Sequence, residues 1–308
     1  VQSDLDQLGS SSFKRSKQVG VVASLEKEDL HKPSGRLVVL PKFGGVTVGV
    51  NAVTLLLALL FSVPLIWLVL AAFDSQATQQ LHLPHFSVEN FESALAPNLM
   101  WALVNSVAIS GIATAVATVP AFFGAYSFSR HRLPFKNPLL FSILFLAGVP
   151  TSILIIPVFE FFQNWNLLSI VPASIFLGIT CLPFELYIIK NAIDAIPLDL
   201  EEAARVERAS TLRILFRIIL PISLPGIAAA AIYGFIMSWG NFLIPIVLIS
   251  SSDQQPSPTQ IFGFISGINV QYGLLAAYCI IYSFPVVALY LASSSVFTSG
   301  FKAGRTHR

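Results

Sequence analysis

Six long apolar runs separated by polar stretches set the pattern of this chain, near residues 46 to 73, 102 to 127, 138 to 161, 167 to 189, 222 to 250 and 271 to 297. Crossing a hydrocarbon core about 30 Å thick takes roughly 20 helical residues, and every run reaches that length. Each is too long for a membrane-spanning strand, and none shows sustained in-and-out alternation. Helices satisfy their own backbone polar groups in lipid, so the pattern predicts an all-α, polytopic membrane protein with six transmembrane helices.

Composition strengthens this expectation. Hydrophobic residues make up 55% of the 308, charged residues only 11%, and the mean hydropathy is +0.74. A soluble domain needs more charge than that to cover its surface.

The basic residues then orient the spans. All 18 Lys and Arg fall before the first run, between runs two and three, between runs four and five, or after the sixth. The alternate segments, 74 to 101, 162 to 166 and 251 to 270, hold none. Cationic loops mark the cytoplasmic side, so both termini and the loop at 195 to 221 are expected inside. The net charge of +2 conceals this asymmetry and carries no nucleic-acid signature, because the cations are divided among four membrane-adjacent segments without interleaved aromatic residues.

Three regions follow: a polar N-terminal tail over 1 to 44, expected to be disordered or else a docking or lipid-surface segment; a six-helix domain over 45 to 300; and a short tail over 301 to 308. Cys181 and Cys279 both lie within spans, which argues against a disulfide framework.

The polar island between runs four and five reads EEAARVERASTLRILFRIILPISLPG from Glu201. Pro197 ends what precedes it, and Asp199 with Glu202 has capping-box spacing for a new helix. Leu200, Ala203, Ala204 and Glu207 share one face of that helix; Glu201, Glu202, Arg205 and Arg208 populate the remainder. Ser210 offers a second N-cap before Leu212, Leu215, Phe216 and Ile219 at core-facing spacing. A short helix, a turn and a second helix leading into span five are predicted.

Glu201, Glu202, Ala203, Ala204, Glu207, Ala209 and Ser210, followed by Leu220, Pro221, Pro225 and Gly226, resemble the EAA loop of ABC importer permeases of the carbohydrate, maltose-transporter-like class. Asn105 and Ser106, Ala125 with Tyr126 and Arg130, Ile156 and Pro157, Pro183 and Phe184, and Trp239 with Phe242 are similar to other pieces of that family. The resemblance covers roughly residues 50 to 305. It implies an ABC importer permease fold in a bacterial or archaeal inner membrane. It also implies a second homologous permease, two ATPase subunits holding ATP and Mg, and an extracytoplasmic substrate-binding protein. Glu202 would meet a basic group on the ATPase, with Ala203 and Ala204 permitting close approach. No cofactor is expected on this chain, which has no GxxxxGK sequence followed by Ser or Thr and so no nucleotide-hydrolysing loop of that kind. Where the family has Asp-Gly this chain has Glu207 and Arg208. Three readings of Arg208 stand open: a turn built differently, a cation used in docking, or a surface Arg favoured at a helix C-terminus.

Span five carries Gly226, Ala230, Gly234, Ser238, Asn241 and Pro245 at helical spacing. The glycines suit close helix packing. Ser238, Trp239 and Asn241, with Thr151, Ser152 and Asn105, are candidates for a translocation pathway, with interhelical hydrogen bonding as the alternative for the first group. The spans carry no Lys or Arg, which suits a neutral, hydroxyl-rich solute such as a sugar. Glu185 is either a packed or snorkelling residue or the proton-coupling group of a secondary transporter. His82 and His85 are expected to be solvated loop residues, since no third metal ligand is near. No catalytic constellation presents itself. The sequence thus points to a permease subunit of a sugar ABC importer; a proton-coupled secondary transporter and a non-transporting scaffold are the other classes in play.

Overall fold

The computed structural model describes residues 44 to 80, 84 to 266 and 270 to 303. Most of the tail over 1 to 44, His82, and residues 304 to 308 therefore lie outside the described residues. Two compact units are distinguished, Val1–Leu60 and Phe61–Arg308. In the first, helix α1 (Gly44–Ala72) begins, and its large apolar side chains from Val50 to Leu60 are exposed, as a lipid-facing surface requires.

Among the described residues of the second unit every regular element is a helix, joined by turns and short loops, with one isolated bridge, Asp74 with Phe86. After a short outer helix α2 (Glu89–Ala94) comes α3 (Pro97–Arg130), followed by α4 (Lys136–Ala147), α5 (Thr151–Asn164) and α6 (Ile170–Asp194). Then come α7 (Asp199–Val206), α8 (Thr211–Ile214), a π turn (Leu215–Ile219) and α9 (Leu220–Trp239). The chain closes with α10 (Leu243–Leu248), a 3-10 turn (Ser252–Gln254), α11 (Ser257–Ser266) and α12 (Tyr272–Ala303).

Among the described residues five helices are long and apolar enough to cross a membrane, and α4 with α5 forms a sixth, bent candidate. This corrects the third span, expected as one helix over 138 to 161: its halves meet at 83°. The cause is local. Pro150 disfavours helical backbone at Val149 and then serves as N-cap to α5, so one apolar run becomes two helices. Span five also ends sooner than expected, at Trp239, with Gly240 as its C-cap. Asn241 and Pro245 accordingly do not continue the helix of Ser238.

The core is built on α3, α6 and α9, which pack on one another. Along α3 the buried positions Ala102, Ser106, Ala113, Ala117, Ala121 and Ala125 make a small-residue stripe, so backbones approach closely. On α6, Gly178 answers it: a Cβ there would sit 2.5 Å from the carbonyl oxygen of Ala113. Gly226 and Gly234 of α9 do the same against Ala192 and Glu185, which bears out their packing role. One apolar cluster joins Phe122, Tyr126, Ile189, Ile193, Ile214 and Ile219 at one end of the bundle. A second joins Ile109, Ala173, Leu177, Ile244 and Leu248. A third sets Ala71 and Ala72 beside Leu99 and Ala276 to Tyr278.

Candidate functional site

The candidate site is the end of the bundle where α3 and α6 stop and the short helix α7 begins. α6 ends at Asp194, and Pro197 helps turn the chain into α7. The expected capping box is not formed. Leu198 is the N-cap, with no side-chain cap hydrogen bond, and its carbonyl accepts from the backbone amides of Glu201 and Glu202. Asp199, Glu201 and Glu202 instead all lie in the first helical turn, where negative charge complements the exposed amide end of the helix.

α7 is amphipathic with a different inner face from the one expected. Glu201, placed by sequence among the outward positions, is only 2% exposed, and Ala204 beside it packs on the apolar cluster. Leu200, Glu202, Ala203, Val206 and Glu207 are exposed. A carboxylate can turn inward here because Arg130, the last residue of α3, meets it. The Arg130 Nε donates to Glu201 Oε1 at 2.5 Å, with side chains 6% and 2% exposed. Nη2 of the same guanidinium donates to the carbonyls of Ile193 and Ile196 at 3.1 and 2.8 Å, satisfying groups left open where α6 ends. Tyr126, one turn earlier on α3, donates its hydroxyl to Glu201 Oε2 at 3.3 Å. Beside this network Ser129 donates to Asp194 Oδ1 at 2.5 Å, and Lys190 pairs with the same carboxylate. Cations near 130, 190 and 205 thus gather at one end, in keeping with the charge asymmetry along the chain.

α7 closes on a left-handed residue. Arg208 has φ 59°, the backbone amide of Arg208 donates to the carbonyl of Arg205, and that of Ala209 to the carbonyl of Ala204. This paired closure normally favours glycine at the left-handed position. The turn is therefore the glycine-type turn, made by an exposed arginine, which removes the reading of a turn built differently. Ala209 and Ala204 both pack on the cluster below it. Ser210 then caps α8 as expected, its hydroxyl accepting from the Arg213 amide at 3.4 Å.

The π turn before α9 was not anticipated. Its widened geometry, with the Leu220 amide reaching the Leu215 carbonyl, ends at Ile219, two residues before Pro221, whose ring would clash with the carbonyl one turn back in a regular helix.

The candidate pathway residues do not converge as a set. Ser238 is buried, 4.0 Å from the Cys181 sulfur. Trp239 is buried in a stack, with Phe235 at 5.5 Å and Tyr282 at 4.9 Å between ring centroids, and Tyr282 donates its hydroxyl to the Trp239 carbonyl exposed by the helix end. The side-chain oxygen of Asn241 accepts from the Ile244 amide at 3.0 Å, starting α10. Asn105 donates to the carbonyls of Asp253 and Gln255, pinning an outer turn. Thr151 and Ser152 open α5 at the bend. At this outer side a cleft of about 300 Å³ is lined by Asp74, Gln76, Asn90, Gln271 and Tyr272, none of them among the candidates.

Glu185 is packed rather than snorkelling: it is fully buried, and its Oε2 accepts from the Thr118 hydroxyl at 2.6 Å. His85 engages Asp74 through its backbone amide, and among the described residues no three His, Cys, Asp or Glu side chains gather as a metal site would need.

Comparison with known proteins gives this geometry its context. Residues 118–299 match the family model described as "Binding-protein-dependent transport system inner membrane component". Over 269 residues the chain is 25% identical to the "Diacetylchitobiose uptake system permease protein DasC" of Streptomyces coelicolor, covering 85% of this chain and 97% of that one. It is 29% identical over 260 residues to the "Galactooligosaccharides transport system permease protein GanQ" of Bacillus subtilis, covering 81% and 92%. Its fold is similar to that of a chain in the crystal structure of a bacterial ABC transporter involved in the import of the acidic polysaccharide alginate. There the TM-score is 0.70 at 20% identity, over 82% of this chain and 96% of that one. The family match spans more than half of the chain, and the helices it covers include α6, α7, α9 and most of α12. The chain belongs to the binding-protein-dependent transport system inner membrane components and is a membrane-embedded permease subunit of an ABC importer.

Proposed function

We propose that this chain forms half of the translocation pathway for a neutral carbohydrate and couples to a separate ATPase through the loop at 195 to 221. The observation that carries the coupling is the division of the acidic pair on α7. Glu201 is held inside, while Glu202 and Ala203 face outward beside it. Glu202 then receives a basic group of the ATPase, with Ala203 permitting close approach; Ala204 and Ala209 support the element from within, and the exposed Pro221 lies at the start of α9 behind it. Glu207 and Arg208 flank the docking face. ATP and Mg are held by the two ATPase subunits, whose closure draws the α7 helices of two homologous permeases together and switches the bundles by rigid-body motion.

A carbohydrate is supported by the relatives named for diacetylchitobiose and galactooligosaccharide transport. Neutrality is supported by spans that carry no cation away from their ends, since an anionic route would be expected to hold one. Ser238 and Trp239, with Thr151 and Ser152 at the bend, are the pathway candidates. Asn105 and Asn241 act through the caps and turns they hold. A substrate-binding protein delivers the solute at the cation-free outer side.

The test uses cells producing this chain together with a second permease, an ATPase and a binding protein. Uptake of radiolabelled diacetylchitobiose, galactobiose and maltose is compared with uptake of digalacturonate. Uptake of a neutral disaccharide that Glu202→Ala abolishes, together with loss of the ATPase from the purified complex, is expected. Uptake confined to digalacturonate overturns the neutral substrate; full uptake by Glu202→Ala overturns the docking role.

A further inference from the structure

One guanidinium at the cytoplasmic end ties three elements together. Arg130 ends α3, caps the carbonyls of Ile193 and Ile196 at the end of α6, and holds Glu201 of α7. Its Nη1 also donates to Ser129, whose hydroxyl is bonded to Asp194 on α6. Both oxygens of Glu201 are committed, one to Arg130 and one to Tyr126 of α3, with the exposed Arg205 further off at 3.9 Å.

α7 otherwise rests on the bundle through Ala204 and Ala209, small apolar contacts that slide at little cost. The ion pair is different, because parting it would leave a buried charge without its partner. Arginine also keeps its charge under all cellular conditions and presents its donors in a rigid fork, so both the distance and the angle between α7 and the two helix ends are fixed.

We propose that Arg130 and Glu201 are positioning residues that form the link through which displacement of α7 reaches the ends of α3 and α6. Docking belongs to the exposed Glu202; transmission belongs to its buried neighbour Glu201. The link rests on the coupling-loop reading above.

Hydrogen–deuterium exchange of the purified permease–ATPase complex, with and without ATP and vanadate, tests it. In the unaltered complex the nucleotide should change exchange in the peptides covering both 199 to 210 and 118 to 134. In Glu201→Gln, which keeps the side-chain shape, the ATPase should stay bound and 199 to 210 should respond as before. The response of 118 to 134 should fall by roughly tenfold, the scale of a lost coupling between sites. Arg130→Lys, which keeps the charge and loses the fork, should do the same. Exchange without nucleotide in 97 to 117 should not change in either variant; a rise there would mean general loosening and would overturn a linking role. A response of 118 to 134 that survives both substitutions overturns the link alone. A complex in which 199 to 210 never responds to nucleotide overturns the coupling loop itself, and the link with it.

Discussion

Gly234 of α9 lies directly against the carboxyl group of Glu185 on α6, so that a Cβ at position 234 would overlap Oε1 of that side chain. Three helices meet here, since the other carboxyl oxygen accepts from Thr118 of α3. A polar side chain is packed into a junction of small residues, and the absence of a Cβ makes the space.

Gly234→Ala should therefore destabilise the protein by about 1 to 3 kcal/mol through overpacking. Thermal unfolding of the purified protein measures this. Truncation of the obstacle in Gly234→Ala with Glu185→Ala should recover part of the loss, and the pair should be clearly non-additive. Additive losses would mean that the two side chains do not share the space.

Arg208 offers a test of backbone conformation. Its left-handed φ costs a non-glycine residue roughly 1 to 2 kcal/mol, whereas glycine there loses about 0.5 to 1 kcal/mol of unfolded-chain entropy in return. Arg208→Gly should be neutral to slightly stabilising, by up to about 1 kcal/mol. Arg208→Val, β-branched and unsuited to that φ, should destabilise. Paired melting curves distinguish the two directions. If Arg208→Gly leaves ATP-driven uptake unchanged, the guanidinium has no part in docking.

Tyr278 is fully buried on α12, and its hydroxyl joins the Leu99 carbonyl at 3.0 Å and the Ser257 hydroxyl at 2.7 Å. Tyr278→Phe leaves those buried groups without this partner, at a cost of about 1 to 3 kcal/mol. A shift in the melting temperature with unchanged helical circular dichroism is the expected result.

The outer turn at 251 to 255 carries a pH signature. The Ser251 hydroxyl, 2.5 Å from Asp253 Oδ1, holds that carboxyl below the usual carboxylate range. A lowered folded-state value means that the contribution to turn stability is present above the unfolded carboxylate range and fades as pH falls through the folded value. Proteolysis of this turn should quicken in acid, and Asn105→Ala, which removes the donor to the Asp253 and Gln255 carbonyls, should quicken it at neutral pH as well.

Much of the architecture was legible because lipid imposes a simple rule on apolar run length. Five spans, the Ser210 cap and the question raised by Arg208 all follow from local residue chemistry. The bend at Gly148 to Pro150 was not legible, since apolar composition alone does not separate one long helix from two short ones. Nor was the inward turn of Glu201. Sequence patterning assigns charge to the solvent face, and the arginine that reverses this lies 71 positions away. Asn241 was misplaced for a related reason: Gly240 ends the helix before it, so helical spacing across that point carries no facial meaning.

The right-angled break between α4 and α5 also has a consequence for how the chain counts its crossings. α3 and α6 run the same way: their starts are tied to the turn near 253 to 255 through Asn105 and the Ile170 amide, and their ends meet at Arg130. The chain must therefore return from one side to the other between them, and only the bent pair is available to do it. Helices of 12 and 14 residues rise about 18 and 21 Å, and bent by 83° from a straight line they reach roughly 29 Å from end to end. That is close to the thickness of the hydrocarbon core, with no length to spare. Straightening the bend would make this return path overshoot the membrane, and shortening either half would leave it too short to cross.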